Sequence, residues 1–600
     1  MLQTITLQAD LCVVGGGMAG ICAAVAAARN GAETVLMQER PVLGGNASSE
    51  IRMWVCGAHG ENNRETGILE EIALENLRRN PTKNYHVWDT VLYDLVLREK
   101  NITLLLNCAC MDADTEEGAF PHGRARRIRS VTGYQMTTQR FIKVEAAYYA
   151  DCSGDSILAP LTGADYRQGR EGKEDYGEPT YVESPDGLHM GMSCLIQGRE
   201  TNRPVPFTPP PFALKLSDED FRHRTPHLDS SAENFWYLEL GGNRDAIGDT
   251  EEVAKDLRAL AVGTWDYIKN SGRYDAANWE LEFLGFLPGK RESRRMTGEY
   301  TVTANDLLEN TPFPDAVAFG GWPIDDHYPD GFYHKGHPNT NVLPSRPYAV
   351  PYRALYSQNV DNLFFAGRNV SMTHMAMSSM RVMATCGLMG QAVGTAAALA
   401  ARDGLTPHDV YLRRMSDLQA ALMEADCFLP AMTRPVGEAC RRTPLTANGA
   451  PIPNGDTLKD GRDRPNIHYG TTTCGLDLPN GRAAEYRFPA PAAVESVHLT
   501  FDSDLNRTSL PGDWCEREHS TRANIRLDSP QFHLPPTLCK SFRLEMDIAD
   551  GAVTLLDITD NASRAYHIPV GHADVTALRL IPLENYGGAP ATRVFSFDFR

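Results

Sequence analysis

The sequence predicts a doubly wound α/β fold, interrupted by an inserted α+β segment and followed by an all-β sandwich. Three observations predict it. "LCVVGGGMAG" places Gly15, Gly17 and Gly20 between an apolar run and an Ala-rich helical stretch. From 351 to 435 the text returns to that style, with a buried run "NLFFAG" and a small-residue helix "MATCGLMGQAVGTAAALAA". After about residue 440 apolar and polar residues alternate between turn signals, the pattern of antiparallel strands.

Taken in order, Leu11–Val14 reads as a buried strand, Met18–Arg29 as a helix and Thr34–Gln38 as a second strand. "TGILEEIALENLRR" puts Ile68, Leu69, Ile72 and Leu77 roughly on one helical face, and "WDTVLYDLVLRE" does the same with Val91, Leu92, Leu95 and Val96. "ITLLLNC" and "FIKVEAAYYADCSG" read as strands. Domain boundaries are expected at 1–165, 166–350, 351–435 and 440–600. The second region is rich in Pro and Gly and holds one clear helix, opened by a capping box over Asp249–Glu252. "AAEYRFPAPAAVESVHLTFDS", "SFRLEMDIADGAVTLLDITDN", "RAYHIPVGHADVTALRLIPLEN" and "TRVFSFDFR" supply the strands of the sandwich.

Six hundred residues exceed one core. A net charge of −19 disfavours nucleic acid and anionic membranes as partners. No apolar run approaches the about 18 residues of a membrane span. The N-terminus has no basic leader or apolar stretch of an export signal, and several of the 13 cysteines sit in apolar runs, as reduced thiols do. A cytoplasmic protein is expected. No metal-ligand set appears: His327, His334 and His337 have unsuitable spacing and belong to a lid or pocket wall, in which Trp322 and Tyr333 are candidate sugar-stacking rings.

In G-x-G-x-x-G the first glycine permits a tight turn, the second lets backbone N–H groups approach a diphosphate, and the third lets helix and strand pack. Met18 and Ala19 open the helix, whose N-terminus favours negative charge. Glu39 follows about 20 residues later, where a carboxylate grips a ribose 2′-hydroxyl, which disfavours NADP. The motif alone leaves the dinucleotide open.

Further segments narrow it. "ERPVLGGNASSEIRMWVCGA" (39–58), "YYADCSGDS" (148–156), "PGKRESRR" (288–295) and "NLFFAGRNVS" (362–371) stand in this order. Together they resemble the bacterial FAD-dependent oxidoreductase family, within the glutathione-reductase-like flavoproteins related to fumarate reductase and succinate dehydrogenase. The resemblance covers about 8–405 and implies an FAD-binding Rossmann-like fold with an inserted substrate domain. It carries FAD contacts to Gly15, Gly17, Met18, Ala19, Gly20, Glu39, Arg40, Gly44, Gly45, Asn46, Arg52, Asp151, Gly154, Asp155, Gly367 and Arg368. In fumarate-reductase relatives a histidine after the paired small residues carries the flavin covalently. Asn46 stands there, so FAD is expected to be non-covalent. The C-terminal region resembles a galactose-binding-like, discoidin-type jelly roll, with Trp514 and Tyr586 as candidate ring contacts; the alternative is an appendage for stability or homo-oligomer formation.

No second G-x-G-x-x-G follows, so a dedicated NAD(P)H domain is not expected. Hydride transfer from an alcohol needs a base for the hydroxyl proton, and His is the default. His59, in a segment with Arg52, Glu61, Arg64 and Glu65, is the first candidate, and His374 the second. Arg291 and Arg294 are candidates to orient substrate or stabilise anionic flavin. The expected activity is oxidation of a sugar or glycoside hydroxyl, with an unspecified electron acceptor. Two alternatives stand: reduction of an unsaturated carboxylate, and a carbohydrate-binding or assembly protein with structural FAD.

Overall fold

The computed structural model describes residues 2–228, 234–470, 473–507 and 519–600. They divide into two compact units. One comprises Met1–His59, Thr82–Leu418 and Thr508–Gln531; the other comprises Gly60–Pro81, Gln419–Arg507 and Phe532–Arg600.

In the first unit β1 (Thr4–Val14), α1 (Met18–Arg29) and β2 (Thr34–Met37) form the expected βαβ start. β3 (Ile102–Leu105), β4 (Cys108–Glu117), β5 (Arg126–Gln135) and β6 (Arg140–Asp151) complete a sheet in the order β3-β2-β1-β6-β5-β4, and the strand Leu363–Phe365 also pairs with β6. β1, β2, β3, β6 and Leu363–Phe365 run parallel. Register explains why distant motifs meet. Val14 aligns with Met37 and with Asp151, and Asp151 aligns with Phe365. Gly15, Gln38, Cys152 and Ala366 therefore leave one sheet edge, beside the switch point where such sheets bind ligands. The antiparallel pair β4–β5 was not anticipated.

Every residue of α1 from Met18 to Ala28 is buried. Its small side chains admit the helix Met383–Asp403 to backbone contact: a Cβ at Gly390 would lie 2.1 Å from the Ala19 carbonyl oxygen, and one at Gly394 2.0 Å from that of Ala23. Among the described residues this helix alone is long and apolar enough to cross a membrane, yet 89% of its most apolar window is buried inside the protein.

Residues of the inserted region build a separate core around the helix Thr250–Asn270, with Leu257, Trp265, Phe235 and Trp279. The helix starts where expected, but the capping box does not form. Asp249 makes no cap hydrogen bond, because its carboxylate accepts from the Asp245 N–H in the preceding turn.

The second unit is an eight-stranded antiparallel sheet that includes Ala484–Phe501, Cys539–Ile548, Gly551–Ile558, Ala565–Asn585 and Ala591–Phe599. Two differences from the expected boundaries stand out. The helix Ile68–Arg79, read as part of the α/β domain, contributes Leu74 and Leu77 to the core of the second unit, and residues 519–531 go with the first unit. Three buried arginines clamp the second unit: Arg507 on Glu70, Arg564 on Asp426, and Arg434 on both Asp463 and Asp598. Arg434 is 2% exposed and sits 2.9 Å from Asp463 and 2.6 Å from Asp598. Arg434→Met would leave two buried carboxylates without their cation. The expected loss is about 3–5 kcal/mol in urea unfolding followed by circular dichroism, and a change below about 1 kcal/mol would contradict it.

Candidate functional site

The Gly-rich turn has the geometry its residues predict. Gly15 has φ +105°, and a Cβ there would lie 2.4 Å from the Cys152 carbonyl oxygen. A Cβ on Gly20 would meet the Gly15 carbonyl oxygen at 1.8 Å. Gly17 differs: its Cβ would meet nothing nearer than Gly45 Cα, at 3.9 Å. Two positions thus need glycine for the fold, while at the third a Cβ would make only an ordinary contact, so glycine there answers to a close-approaching ligand such as a diphosphate. Gly44 lies alongside, its N–H donating to the Gly16 carbonyl at 2.8 Å, with Gly17 and Gly44 forming a parallel bridge.

Sequence reasoning missed Gln38. Its buried side chain accepts from the Gly16 N–H at 2.7 Å and donates to the Val42 carbonyl at 3.1 Å, tying the first turn to the second. An amide ending a buried strand was the available signal. Glu39 has a 67% exposed side chain, accessible to a ribose. Arg40 ion-pairs with Glu50 at 3.5 Å, and its buried Nε and Nη1 lack hydrogen-bond acceptors. The buried Asn369 Oδ1 and Thr385 Oγ1 also lack partners, the latter in the first turn of the helix Met383–Asp403. A glycine at position 17 that the fold does not require, and these unmatched polar atoms, fit the expected FAD.

Four motif segments then join through one set of contacts. Asn46 Nδ2 donates to the Lys290 carbonyl at 3.0 Å, and Lys290 Nζ pairs with Asp155 at 2.8 Å. Asp155 also takes Arg368 at 2.6 Å and the Ser293 hydroxyl at 2.7 Å. Burial opposes charge on Asp155, but Arg368 and Lys290 outweigh it and hold the carboxyl below its ordinary range. Gly154 (φ +77°) packs on the Arg368 guanidinium. Asp151 is filled by protein donors: the Ser153 N–H and hydroxyl and the Leu158 N–H. Its carboxylate shapes this turn. Arg52 is engaged by protein groups as well. Its guanidinium donates to the Ser49 carbonyl and Gln197 and lies over Phe283 (4.0 Å) and Tyr85 (5.0 Å), a packing role.

The candidate catalytic residues distribute around the loop 321–327. His59 donates its N–H to the Gly321 carbonyl at 3.0 Å, and its ring meets Trp322 edge-on at 4.9 Å. Glu61, Arg64 and Glu65 belong to the second unit, so the expected cluster ends at His59. His374 begins the helix His374–Met380 and is 2% exposed. Its Nδ1 lies 2.9 Å from Glu292 and its Nε2 2.9 Å from Asp326. Burial disfavours its charge, yet the two carboxylates prevail and raise its pKa to about 10. Both nitrogens are occupied and the ring is protonated at neutral pH, so His374 holds a proton rather than accepting one.

Arg295 completes this cluster, 2.6 Å from Glu292 and 2.8 Å from Glu171. A second cluster adjoins it along the loop. His327 bridges Glu239 (2.7 Å) and Asp325 (3.4 Å), Arg291 pairs with Glu239 (3.4 Å), and Arg381 pairs with Asp325 (3.2 Å). Burial opposes charge on His327, and Glu239 outweighs it, raising its pKa. Arg294 donates to the Asp155 carbonyl at 3.3 Å and lies over Tyr166. Glu292 belongs to the charged stretch 288–295 that the sequence singles out, whereas Asp326, Glu239, Asp325 and Arg381 escaped sequence reasoning because each looks like an ordinary surface charge in its local stretch.

Among solved structures, a geranylgeranyl bacteriochlorophyll reductase-like protein from Thermoplasma acidophilum is 11% identical over 70% of this chain and 86% of that one, with a TM-score of 0.31. A variant of E. coli quinol fumarate reductase FrdA is 13% identical over 69% of this chain and 74% of that one, at 0.26. A family 32 carbohydrate-binding module from Streptococcus pneumoniae EndoD is 14% identical over 26% of this chain and 94% of that module, at 0.17. Likenesses this weak say nothing about chemistry. No curated protein matches the sequence. The model of the FAD dependent oxidoreductase family matches residues 10–422. With more than half its length so matched and a diphosphate cradle in place, the chain belongs to the FAD-dependent oxidoreductase family and is an FAD-dependent enzyme.

Proposed function

We propose that this oxidoreductase oxidises a hydroxyl of a small, uncharged polar substrate, a sugar or glycoside, with hydride leaving the carbon that bears the hydroxyl and the proton leaving its oxygen. Bound FAD supplies the hydride acceptor. Gly15–Gly20, Glu39, Arg40, Gly44 and Gly45 hold its dinucleotide part, while Asn46, Lys290, Asp155 and Arg368 order the segments around it. His59 takes the hydroxyl proton, and the protonated His374, fixed by Glu292 and Asp326, positions the loop that carries Trp322.

One observation carries the choice of an uncharged substrate. Arg291, Arg295, Arg368 and Arg381 are each already paired with a carboxylate. Reduction of an unsaturated acid asks for arginines free to clamp its carboxylate, and these four are committed. We read FAD as non-covalent, since an amide at position 46 forms no such bond. We also read the C-terminal sheet as galactose-binding-like; Tyr586 already donates to Asp560 and the Asn561 carbonyl, and Trp514 lies outside the described residues. The 12 described cysteines are free thiols, which supports a reducing compartment.

Anaerobic mixing of the yellow protein with sugars, glycosides and unsaturated acids tests the reading. Sugars should bleach the oxidised flavin. His59→Gln should keep its flavin and slow that bleaching roughly 10²–10⁴-fold. Inertness to every sugar, with reoxidation of reduced flavin by an unsaturated acid, would overturn it.

A further inference from the structure

We propose that the second unit carries a binding pocket of its own for a small anion bearing a carboxylate or phosphate group. A cavity of about 180 Å³ lies there, lined by residues including Phe428, Thr433, Arg462, Arg464, Asn466 and Tyr469. At ~30 Å³ per water it has room for about six waters, or a compound no larger than a monosaccharide acid.

Its charges are unequally satisfied. Arg464 is 5% exposed, and its guanidinium donates only to neutral acceptors: the Asn62 and Arg64 carbonyls and the Thr66 hydroxyl. Phe428 lies under it at 4.8 Å. Among the described residues no carboxylate stands within 4.0 Å of it. Burial, helped by the neighbouring Arg564 cation, pushes its pKa down to about 10, and the more distant carboxylates Asp426, Glu70 and Glu65 do not make up the difference. The carboxylates that share the cavity are spent elsewhere. Asp426 pairs with Arg564, and Asp463 takes Arg434 and the Ser596 hydroxyl. Arg462 stands exposed at the mouth, also without an ion pair among the described residues; its backbone is engaged, the N–H by Asp460 and the carbonyl by the Cys474 thiol.

A buried cation costs free energy that an anion would offset, and guanidinium matches carboxylate and phosphate geometry. The aromatic wall of Phe428 and Tyr469, 6.0 Å apart, excludes water from one side and strengthens such a contact.

Calorimetric titration of the full-length flavoprotein at low salt tests this, with inorganic phosphate and glucuronate as probes and glucose as the uncharged comparator. At least one anion should bind with Kd at or below about 1 mM, and glucose should not. Tighter phosphate binding assigns a phosphate ligand; tighter glucuronate binding assigns a carboxylate. Arg464→Gln removes the buried cation and could also loosen residues 62–66. Arg462→Glu is therefore the companion variant: it changes an exposed residue, should keep its flavin and fold, and should weaken binding roughly tenfold or more. Absence of heat with both anions, equal binding of glucose, or unchanged affinity in both variants would overturn the proposal.

Discussion

Gly17→Val is expected to give a folded protein that purifies colourless. Gly17 caps α1 with φ −70°, a conformation open to any residue, and its Cβ would clear every protein atom by 3.9 Å or more. A β-branched N-cap costs the helix about 1 kcal/mol, which a protein of this size tolerates. What valine adds is a branched side chain at the N-terminus of α1, where the FAD diphosphate belongs. Affinity for FAD should fall about a hundredfold or more, ~3 kcal/mol. The checks are the ratio of flavin to protein absorbance after purification and calorimetry of the apoprotein with FAD. Gly20→Val should behave differently: with the Gly15 carbonyl 1.8 Å from the new Cβ, the turn itself cannot form. A fully loaded Gly17→Val protein would place the diphosphate elsewhere.

His374→Gln should have the largest effect on stability in the first unit. The wild-type imidazolium balances Glu292 and Asp326, both almost wholly buried. Neutral glutamine leaves these carboxylates with Arg295 as the one cation paired to Glu292. The expected cost is about 3–5 kcal/mol. The sign of the pH dependence follows from the two shifts. The His374 pKa is raised from 6.5 to about 10 on folding, so its contribution is complete below pH 6.5 and fades as pH rises through 10. Burial opposes charge on Glu292, but His374 and Arg295 lower its pKa from 4.5 to about 2, so that contribution is complete above pH 4.5 and fades as pH falls through 2. The difference in unfolding free energy between wild type and variant should therefore be greatest between pH 4.5 and 6.5 and shrink in alkali. A difference that grows towards pH 10 would mean a neutral histidine.

Much of the fold is legible locally, because strand and helix signals are written in adjacent residues. The βαβ start and the C-terminal strands from Ala484 to Phe599 lie where alternation and glycine placement put them. The helix Ile68–Arg79 was legible as a helix but not as a part of the second unit. Its periodicity says that one face is buried and not which core buries it; Leu74 and Leu77 find theirs with residues hundreds of positions away. The Asp249 box failed for a related reason, since its carboxylate accepts from the Asp245 N–H instead of from an N–H of the helix's first turn.

The glycines of the candidate site could be read because their spacing between strand and helix is itself local, even where the group that excludes a side chain, as Cys152 does at Gly15, is distant in sequence. The charged clusters could not. Glu239, Glu292, Asp326 and His374 are separated by up to 135 positions and acquire meaning only when the sheet edge and the loop 321–327 bring them together. His374 itself was picked out, but its proton-holding state depends on Glu292 and Asp326, which nothing in "SMTHMAMSS" announces.

A crystal structure of the flavin-loaded enzyme tests the central claim most directly. The account predicts the FAD diphosphate against Gly17, at the Gly15–Gly20 turn and beside Gly44–Gly45, with Asn46, Lys290, Asp155 and Arg368 keeping their mutual contacts. A diphosphate bound away from that sheet edge, with the space before Gly17 filled by water, would contradict it.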